Sequence, residues 1–582
     1  MAAELKECDL VMKGGITSGV VYPYAILELA GSYRFRSIGG ASAGAIAAAF
    51  AAAGEYARQT GDKDAFVRFE DRINDLPQKL ASLFQPDPPF ELVMKAALAA
   101  TGDKTGRRGR VLRALGLPLR VGAGVGVFAF FLLTALPLAF AWSWGAGLIW
   151  LVGALLAASI GAVVVLGRHL AKVIIHDLPA HDFGLCSGMR PDGSTQEALT
   201  EWIYDSLQII AFGPAGRTQP LTFRDLAEVG LMPDAIKRGE KAIQLEMMVT
   251  NLSLGRPHAV PHFGLKLLFS PKEWAKLFPD AVLGWLLDDA RCPALPNPPP
   301  ETPDLRQAPP DLDLPVVVGV RMSLSFPILI RAVPMHMADV GAAARNELPP
   351  KTKPPIRRIL FSDGGITSNF PVHFFDRLFP ERPTFALSLD ALHSPTAPLI
   401  SMPQAPADGA FSPIRSFEGV GGFVGAILGA AKDWQDEMMS VMPGQRQRVV
   451  RIRLDKDEGG LNLNMPVELS EELMARGGEA GREICTSFNF DEHRYRRTVV
   501  AYEHLADLVR DFAAAWPQYS KWYRHYSPGA KSYDDMIPRD ARVKIADHLD
   551  ALVAAEKAFT PAQRRSVKFP RPKGRLRIVP DL

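Results

Sequence analysis

The sequence predicts an α/β fold with a central, mostly parallel sheet, an inserted pair of apolar helices and a mainly helical C-terminal region. Three observations carry this prediction. Short strand candidates alternate with helix candidates over the first hundred residues, the order that builds a parallel sheet. Val121 to Gly167 is a run of 47 residues without one charged side chain or histidine. Beyond about Ser470 the pattern is helical.

In chain order, Asp9 to Lys13 reads as a strand that stops at Gly14-Gly15, and Val20 to Ala30 as an apolar helix. Phe35 to Ile38 is a second strand candidate, and the alanine-rich Ala43 to Ala53 strongly favours helix. Ala242 to Thr250, Pro315 to Val320, Arg358 to Phe361 and Thr384 to Leu389 read as buried strands. Proline-rich composition marks Cys292 to Pro315 and residues 395–415 as surface excursions. The expected division is residues 1–105 and 181–395 as two parts of one α/β domain, 106–180 as the inserted hairpin, and 396–582 as a helical region. That last region ends in a basic tail from Arg564 to Arg577.

A bilayer crossing needs about 20 apolar residues, so the uncharged run predicts two crossings, Val121 to Phe140 and Ala146 to Leu166. Their turn would place Trp142 and Trp144 at headgroup level. Arg107, Arg108, Arg110, Arg113 and Arg120 precede the run, and Arg168, His169 and Lys172 follow it. Basic flanks stay cytoplasmic, so both ends are expected on that side. Gly419 to Ala431 is apolar but too short to span a bilayer; a buried helix is expected there in preference to an interfacial lid.

Hydrophobic residues make up 47% of the 582 and charged residues 22%, the balance of a folded protein. A net charge of +3 is far below what genome binding requires, which argues against nucleic acid as a partner. Cys8, Cys186, Cys292 and Cys485 show no C-x-x-C spacing, so neither a zinc cage nor a disulfide framework is expected, only reduced thiols. The N-terminus lacks a basic stretch followed by an apolar core, and no secretory signal is expected.

Gly40-Ala41-Ser42-Ala43-Gly44 fits G-x-S-x-G and sits between a strand candidate and a helix candidate. In that setting the glycines permit a tight turn that leaves the Ser42 hydroxyl exposed above the sheet. The helix beginning at Ala43 aims its positive end at charge developing there. The alternative is a glycine-rich loop that merely packs helix on strand. A serine nucleophile needs a base, and Asp363-Gly364-Gly365, directly after Ile359-Leu360-Phe361, supplies one; the alternative is an ordinary Asp-Gly turn. His373 or His393 could complete a Ser-His-Asp triad, but that fold places several strands before its nucleophile, and at most two precede Ser42. A Ser42/Asp363 dyad is therefore favoured. A free aspartate titrates near 3.9, so the dyad requires a dry site that raises Asp363's basicity. After the first strand, Lys13-Gly14-Gly15-Ile16-Thr17-Ser18-Gly19 offers Gly14 and Gly15 amides to an oxyanion. It carries neither a G-K-[ST] ending nor a dinucleotide fingerprint.

Together these three sites resemble the patatin-like phospholipase family: a glycine-rich loop near the N-terminus, a G-x-S-x-G elbow some twenty-odd residues later, and a distant D-G-[GA]. V-T-N-L-S-L-G-R-P at Val249 to Pro257, M-S-L-S-F-P at Met322 to Pro327 and D-G-G-I-T-S-N-F-P at Asp363 to Pro371 are similar to further family segments. The resemblance covers roughly residues 8–395, with the hairpin as an insertion. It implies a patatin-like three-layer fold and hydrolysis of phospholipid or lysophospholipid acyl esters by the Ser42/Asp363 dyad, without metal or organic cofactor. With the hairpin, the expected setting is a lipid bilayer, a bacterial inner membrane, with the catalytic domain cytoplasmic. Many members carry three glycines and then a basic residue in the first loop, whereas this chain has Gly14, Gly15, Ile16, Thr17 and Ser18. That departure motivates the alternative of a membrane-anchored, lipid-binding scaffold with little or no turnover.

Overall fold

In the computed structural model the described residues are 5–15, 17–100, 115–140, 144–349, 352–405, 408–409, 414, 419–455, 458–460, 462–525 and 539–557. Arg107, Arg108, Arg110, Arg113, the turn residues 141–143 and the basic tail Arg564 to Arg577 lie outside them.

The strands are β1 Lys6–Met12, β2 Tyr33–Gly40, β3 Gly184–Cys186, β4 Gln244–Asn251, β5 Arg256–Val260, β6 Leu268–Phe269 and β7 Arg306–Gln307. They continue with β8 Ile328–Ile330, β9 Val333–Ala338, β10 Ile356–Asp363, β11 Thr384–Ala391, β12 Ile400–Ser401 and β13 Val449–Leu454. Helices of eight residues or more are α1 Tyr22–Ala30, α2 Ala43–Gln59, α3 Ala65–Asn74, α4 Leu76–Leu83, α5 Glu91–Ala100, α6 Gly116–Phe140 and α7 Trp144–Lys172. After these come α8 Leu199–Phe212, α9 Val316–Ser323, α10 Gly419–Ser440, α11 Val467–Ser487, α12 Phe490–His525 and α13 Arg539–Lys557.

The main sheet runs β12-β13-β11-β1-β2-β4-β10-β9-β6-β7, with β5 also on β4; β3 and β8 form a separate pair. Its parallel part is β13-β11-β1-β2-β4. Everything beyond β4 is antiparallel, so the sheet is mixed and not mostly parallel as the sequence predicts. The reason is local: β4 and β5 are joined by a short turn, and β9 and β10 by a loop without a crossover helix, which a parallel pairing would need.

Side chains alternate across the parallel strands. Leu10 and Met12 enter the larger core with α1, α2 and α8, while Val11, Met248, Ala386 and Val449 face a smaller one with Phe370, Val372 and Phe374. The sheet is thus covered on both faces. β12 and β13 lie past the boundary at 395 and belong to this same sheet, and α11 packs on α1. That contact is close: a Cβ on Gly477 would stand 1.8 Å from the Val21 carbonyl oxygen. All four cysteines are free thiols, and Cys8, Cys186 and Cys292 are buried.

Three expectations are corrected. Pro315 to Val320 is not a strand, because Val316–Ser323 forms helix α9, every residue of which is buried. Its valines favour strand, but a short segment buried all round has no periodicity to distinguish the two, and packing of Gly319 against Val260, Phe223 and Met247 outweighs propensity. The stretch Gly419 to Ala431 is not buried: it opens α10, and Val420 is 80% and Phe423 52% exposed. The uncharged run does fold into two packed helices, with Gly122 close against Gly161 and Gly126 against Ala157, and with the Trp150 indole N–H donating to Thr134 Oγ1 at 2.9 Å. Small residues at such a seam allow close helix approach. Yet only Ile149–Ala180 is long and apolar enough to cross a membrane among the described residues, and Pro118–Phe131 is a shorter apolar stretch. Among the described residues, length and apolarity therefore support one crossing where the sequence predicts two.

The α1–α11 contact yields a stability prediction. Gly477→Leu should lower stability by about 2 kcal/mol or more through overpacking. Gly425→Ala, where a Cβ would meet open space, should change it by less than about 0.5 kcal/mol or raise it slightly. Chemical denaturation followed by circular dichroism checks both; equal effects would mean α11 does not dock as described.

Candidate active site

β2 delivers Ser42 and α2 carries it away. Ser42 has φ 54° and ψ −128°, a left-handed, strained conformation for a residue with a side chain. The strain is held by close approach on either side. A Cβ on Gly40 would lie 2.6 Å from Gly44's backbone, and one on Gly44 would lie 2.5 Å from the Met12 carbonyl oxygen. Both glycines of the motif are thus sterically required, which the simple packing loop does not demand of the serine between them. Ser42 is 3% exposed.

Asp363 ends β10 and pairs across to Val249 of β4, while Met247 of that same strand pairs with Gly40. This register brings two residues far apart in the chain to one end of neighbouring strands. Asp363 is also 3% exposed. Its Oδ1 accepts from the Gly365 amide at 2.7 Å, an approach open because a Cβ on Gly365 would crowd Oδ1 at 2.8 Å. Gly364 packs against the Met248 carbonyl, where a Cβ would stand at 2.0 Å. Among the described residues, Oδ2 is buried without a hydrogen-bond partner. The Ser42 hydroxyl is near enough to stabilise the carboxylate, in a contact looser than a full hydrogen bond, as is common before a substrate is bound.

Burial pushes the Asp363 carboxyl up to about 6, against smaller downward pulls from Ser42, the Gly365 amide and the Lys432 ammonium. Desolvation penalises the charged form, and here it outweighs those three. This is the raised basicity that the dyad requires. Among the described residues, no histidine hydrogen-bonds Ser42 or Asp363; His373 instead meets Phe374 edge-on, and His393 lines a neighbouring cavity.

The glycine loop after β1 departs from expectation at one position. The Gly14 amide donates to the Asn369 carbonyl at 2.7 Å and so is committed within the protein. Gly14 is glycine for room: a Cβ there would meet Asn369 Oδ1 at 2.3 Å and Ser42 Cβ at 3.2 Å. The Gly15 amide has no hydrogen-bond partner among the described residues, nor does the Ala43 amide at the start of α2.

Sequence reasoning noted Met322 to Pro327 only as a motif; the structure gives two of its serines a positioning role. Ser323 Oγ accepts from the Ser42 amide at 3.1 Å and donates to the Met248 carbonyl at 2.7 Å. The Ser325 carbonyl accepts from the Asp363 amide at 3.0 Å and from Ser362 Oγ at 2.7 Å. Arg321, fully buried, donates to Ser325 Oγ at 2.6 Å and to the carbonyls of Ser187 and Arg331, each at 2.8 Å. The alternation of serines after an arginine, just past the Pro315 to Val320 strand candidate, is the available signal.

Comparisons with known proteins bear on this geometry. A family model described as patatin-like phospholipase matches residues 10–121, the part that holds the glycine loop and Ser42. A curated protein described as "RpoH suppressor", from Rhizobium meliloti (strain 1021), is 33% identical, with 99% of each chain covered. The chain belongs to the patatin-like phospholipase family. The patatin-like match stops before β10, so Asp363 rests on the geometry above. A solved structure described as VipD from Legionella pneumophila aligns at 13% identity and a TM-score of 0.31, over 94% of this chain and 88% of that one.

Two stability predictions follow from the buried groups. Because the Asp363 pKa is raised on folding, the folded chain binds more protons than the unfolded one between about pH 4 and 6, and stability is lost as pH rises through that window. Asp363→Asn removes the loss, so its stability relative to the parent should grow by about 3 kcal/mol from pH 4 to pH 8; a pH-independent difference in denaturant unfolding would contradict the burial effect. Ser323→Ala leaves the buried Ser42 amide without its acceptor and should cost about 1–3 kcal/mol by the same measurement.

Proposed function

We propose that this chain is a lipid acyl hydrolase acting on phospholipids or lysophospholipids at the cytoplasmic face of a membrane. One observation carries the reading: a serine on a strained elbow stands beside a buried aspartate whose pKa is lifted to about 6. Ser42 Oγ attacks the ester carbonyl carbon and passes its proton to Asp363, which burial has made basic enough to accept it near neutral pH. The carbonyl oxygen takes up the negative charge, and the Gly15 and Ala43 amides are the donors free to bind it, with the α2 dipole behind them. Collapse breaks the ester C–O bond, and the proton moves from Asp363 to the leaving alkoxide. Water, deprotonated by Asp363, then releases the fatty acid and restores Ser42.

Helix α7 is the membrane tether in this reading, supported by the length and apolarity of Ile149–Ala180 and by outward Ile160 and Val163, 63% and 69% exposed. Holding the site beside its substrate raises the effective concentration without any further contact.

A second reading, a lipid-binding scaffold with little turnover, is favoured by the Gly14 amide being tied to Asn369, which leaves the loop one oxyanion donor fewer than expected. A fluorophosphonate probe separates the two, since it labels only an activated serine. Labelling and hydrolysis of p-nitrophenyl butyrate should both vanish in Ser42→Ala. kcat/KM should fall about tenfold per pH unit below an apparent pKa near 6, as Asp363 becomes protonated. Activity retained in Ser42→Ala would end the hydrolase reading, and release of the chain by alkaline carbonate would end the tether.

A further inference from the structure

Two cavities lie near the ends of the loop that holds Gly14 and Gly15, one apolar and one with charged side chains in its wall. On the face of the larger core, an apolar slot starts at Gly19 and Ala43, next to Ser42, and runs between Phe50, Leu83 and Trp202. On the opposite face, a polar cavity of about 420 Å³ begins at Lys13, one residue before the loop, and lies at the carboxyl ends of β1, β11 and β13. That volume is within the range of small-ligand sites, about 300–1,000 Å³.

Charge in the polar cavity is separated. At one end Asp390 is shared by two cations, Lys13 at 3.3 Å and Arg451 at 2.7 Å, so that corner carries one positive charge in excess. Burial opposes the Asp390 charge, but these two cations overcome it and hold the carboxyl far below its usual range. The other wall is α10, where Asp433 and Glu437 are one turn apart and line the same cavity. Among the described residues, Asp433 Oδ1 has no hydrogen-bond partner and is shut off from solvent.

We propose that this cavity is the subsite for a zwitterionic phospholipid headgroup, with its phosphate at Lys13 and Arg451 and its ammonium at Asp433 and Glu437. The inference deepens the reading of Ser42 as a lipid hydrolase and rests on it. An amphipathic substrate would then lie across the end of the sheet, its headgroup in the charged cavity, its ester at Ser42 and its acyl chain directed toward the apolar slot, which at about 50 Å³ has room as it stands for the chain's first carbons alone. An anionic headgroup lacking the amine would satisfy only one end.

The test uses the full chain in detergent with monomeric diheptanoyl phosphatidylcholine, phosphatidylethanolamine and phosphatidylglycerol, and with p-nitrophenyl butyrate, which has no headgroup. Asp433→Asn should raise KM for the choline and ethanolamine lipids about tenfold more than it raises KM for phosphatidylglycerol or butyrate. Asp433→Lys should turn the preference toward phosphatidylglycerol. Direct titration with sn-glycero-3-phosphocholine should show binding that weakens about tenfold in Asp433→Asn. An unchanged choline-to-glycerol ratio in both variants overturns the proposal, as does an equal loss on butyrate or inorganic phosphate binding as tightly as glycerophosphocholine. If butyrate hydrolysis proves independent of Ser42 while glycerophosphocholine still binds through Asp433, the hydrolase reading falls and the headgroup site stands.

Discussion

Two serines, two positions apart in the chain, hold the two halves of the site. Ser323 takes the amide of Ser42, and Ser325 takes the amide of Asp363. Because Ser323 ends one short buried helix and Ser325 follows two positions on, the separation of Ser42 and Asp363 is set by a rigid piece of backbone instead of by the two flexible side chains themselves. Ser323 also reaches the Met248 carbonyl of β4, so the same bracket is bolted to the strand that lies between β2 and β10. A side-chain contact as loose as that of Ser42 with Asp363 can persist because the backbone beneath it is fixed.

Asp363 and Asp390 show how one residue type is turned to two uses. Both are well buried and both suffer desolvation, which alone would raise each pKa. Asp390 has a lysine and an arginine within salt-bridge reach and ends far below the usual range. Asp363 has an amide, a hydroxyl and only the more remote Lys432 as a cation, and it ends near 6. A paired carboxylate is a permanent charge fit for holding ligands in place, whereas a dry and unpaired one exchanges protons near neutrality.

Features demanded by close packing were legible in the sequence. Gly40, Gly44, Gly364 and Gly365 were visible because each stands where a Cβ would collide with backbone or with Asp363 itself, and such positions admit no other residue. Strands β1, β2, β4, β10 and β11 were visible as apolar runs bounded by turns. What escaped depended on partners distant in the chain. Helix α9 is buried on every side, Arg321 and Ser323 included, so its pattern held no period; the antiparallel half of the sheet followed from loop geometry; and the commitment of Gly14 was decided by a carbonyl 355 positions away. The exposure of α10 was hidden for the opposite reason: an apolar stretch reads as core until the fold leaves it uncovered, with Phe423 and Ile427 both 52% exposed.

Downstream of the apolar helices the chain rejoins the fold away from the main sheet. Downstream of α7 the chain forms β3, which pairs only with β8, and the Cys186 carbonyl there accepts from the Arg331 amide at 2.9 Å. Arg321 then clasps the carbonyls of Ser187 and Arg331 with one nitrogen and Ser325 with another. Its guanidinium is buried with carbonyls and a hydroxyl as its hydrogen-bond partners, and burial pulls its pKa down to about 9. A cation kept in such surroundings is stabilised only while every carbonyl stays in place. The anchor of the hairpin and the bracket of the site are therefore one hydrogen-bonded unit: the root of α7 cannot shift without disturbing the arginine, and the arginine cannot shift without disturbing the serine whose carbonyl positions Asp363.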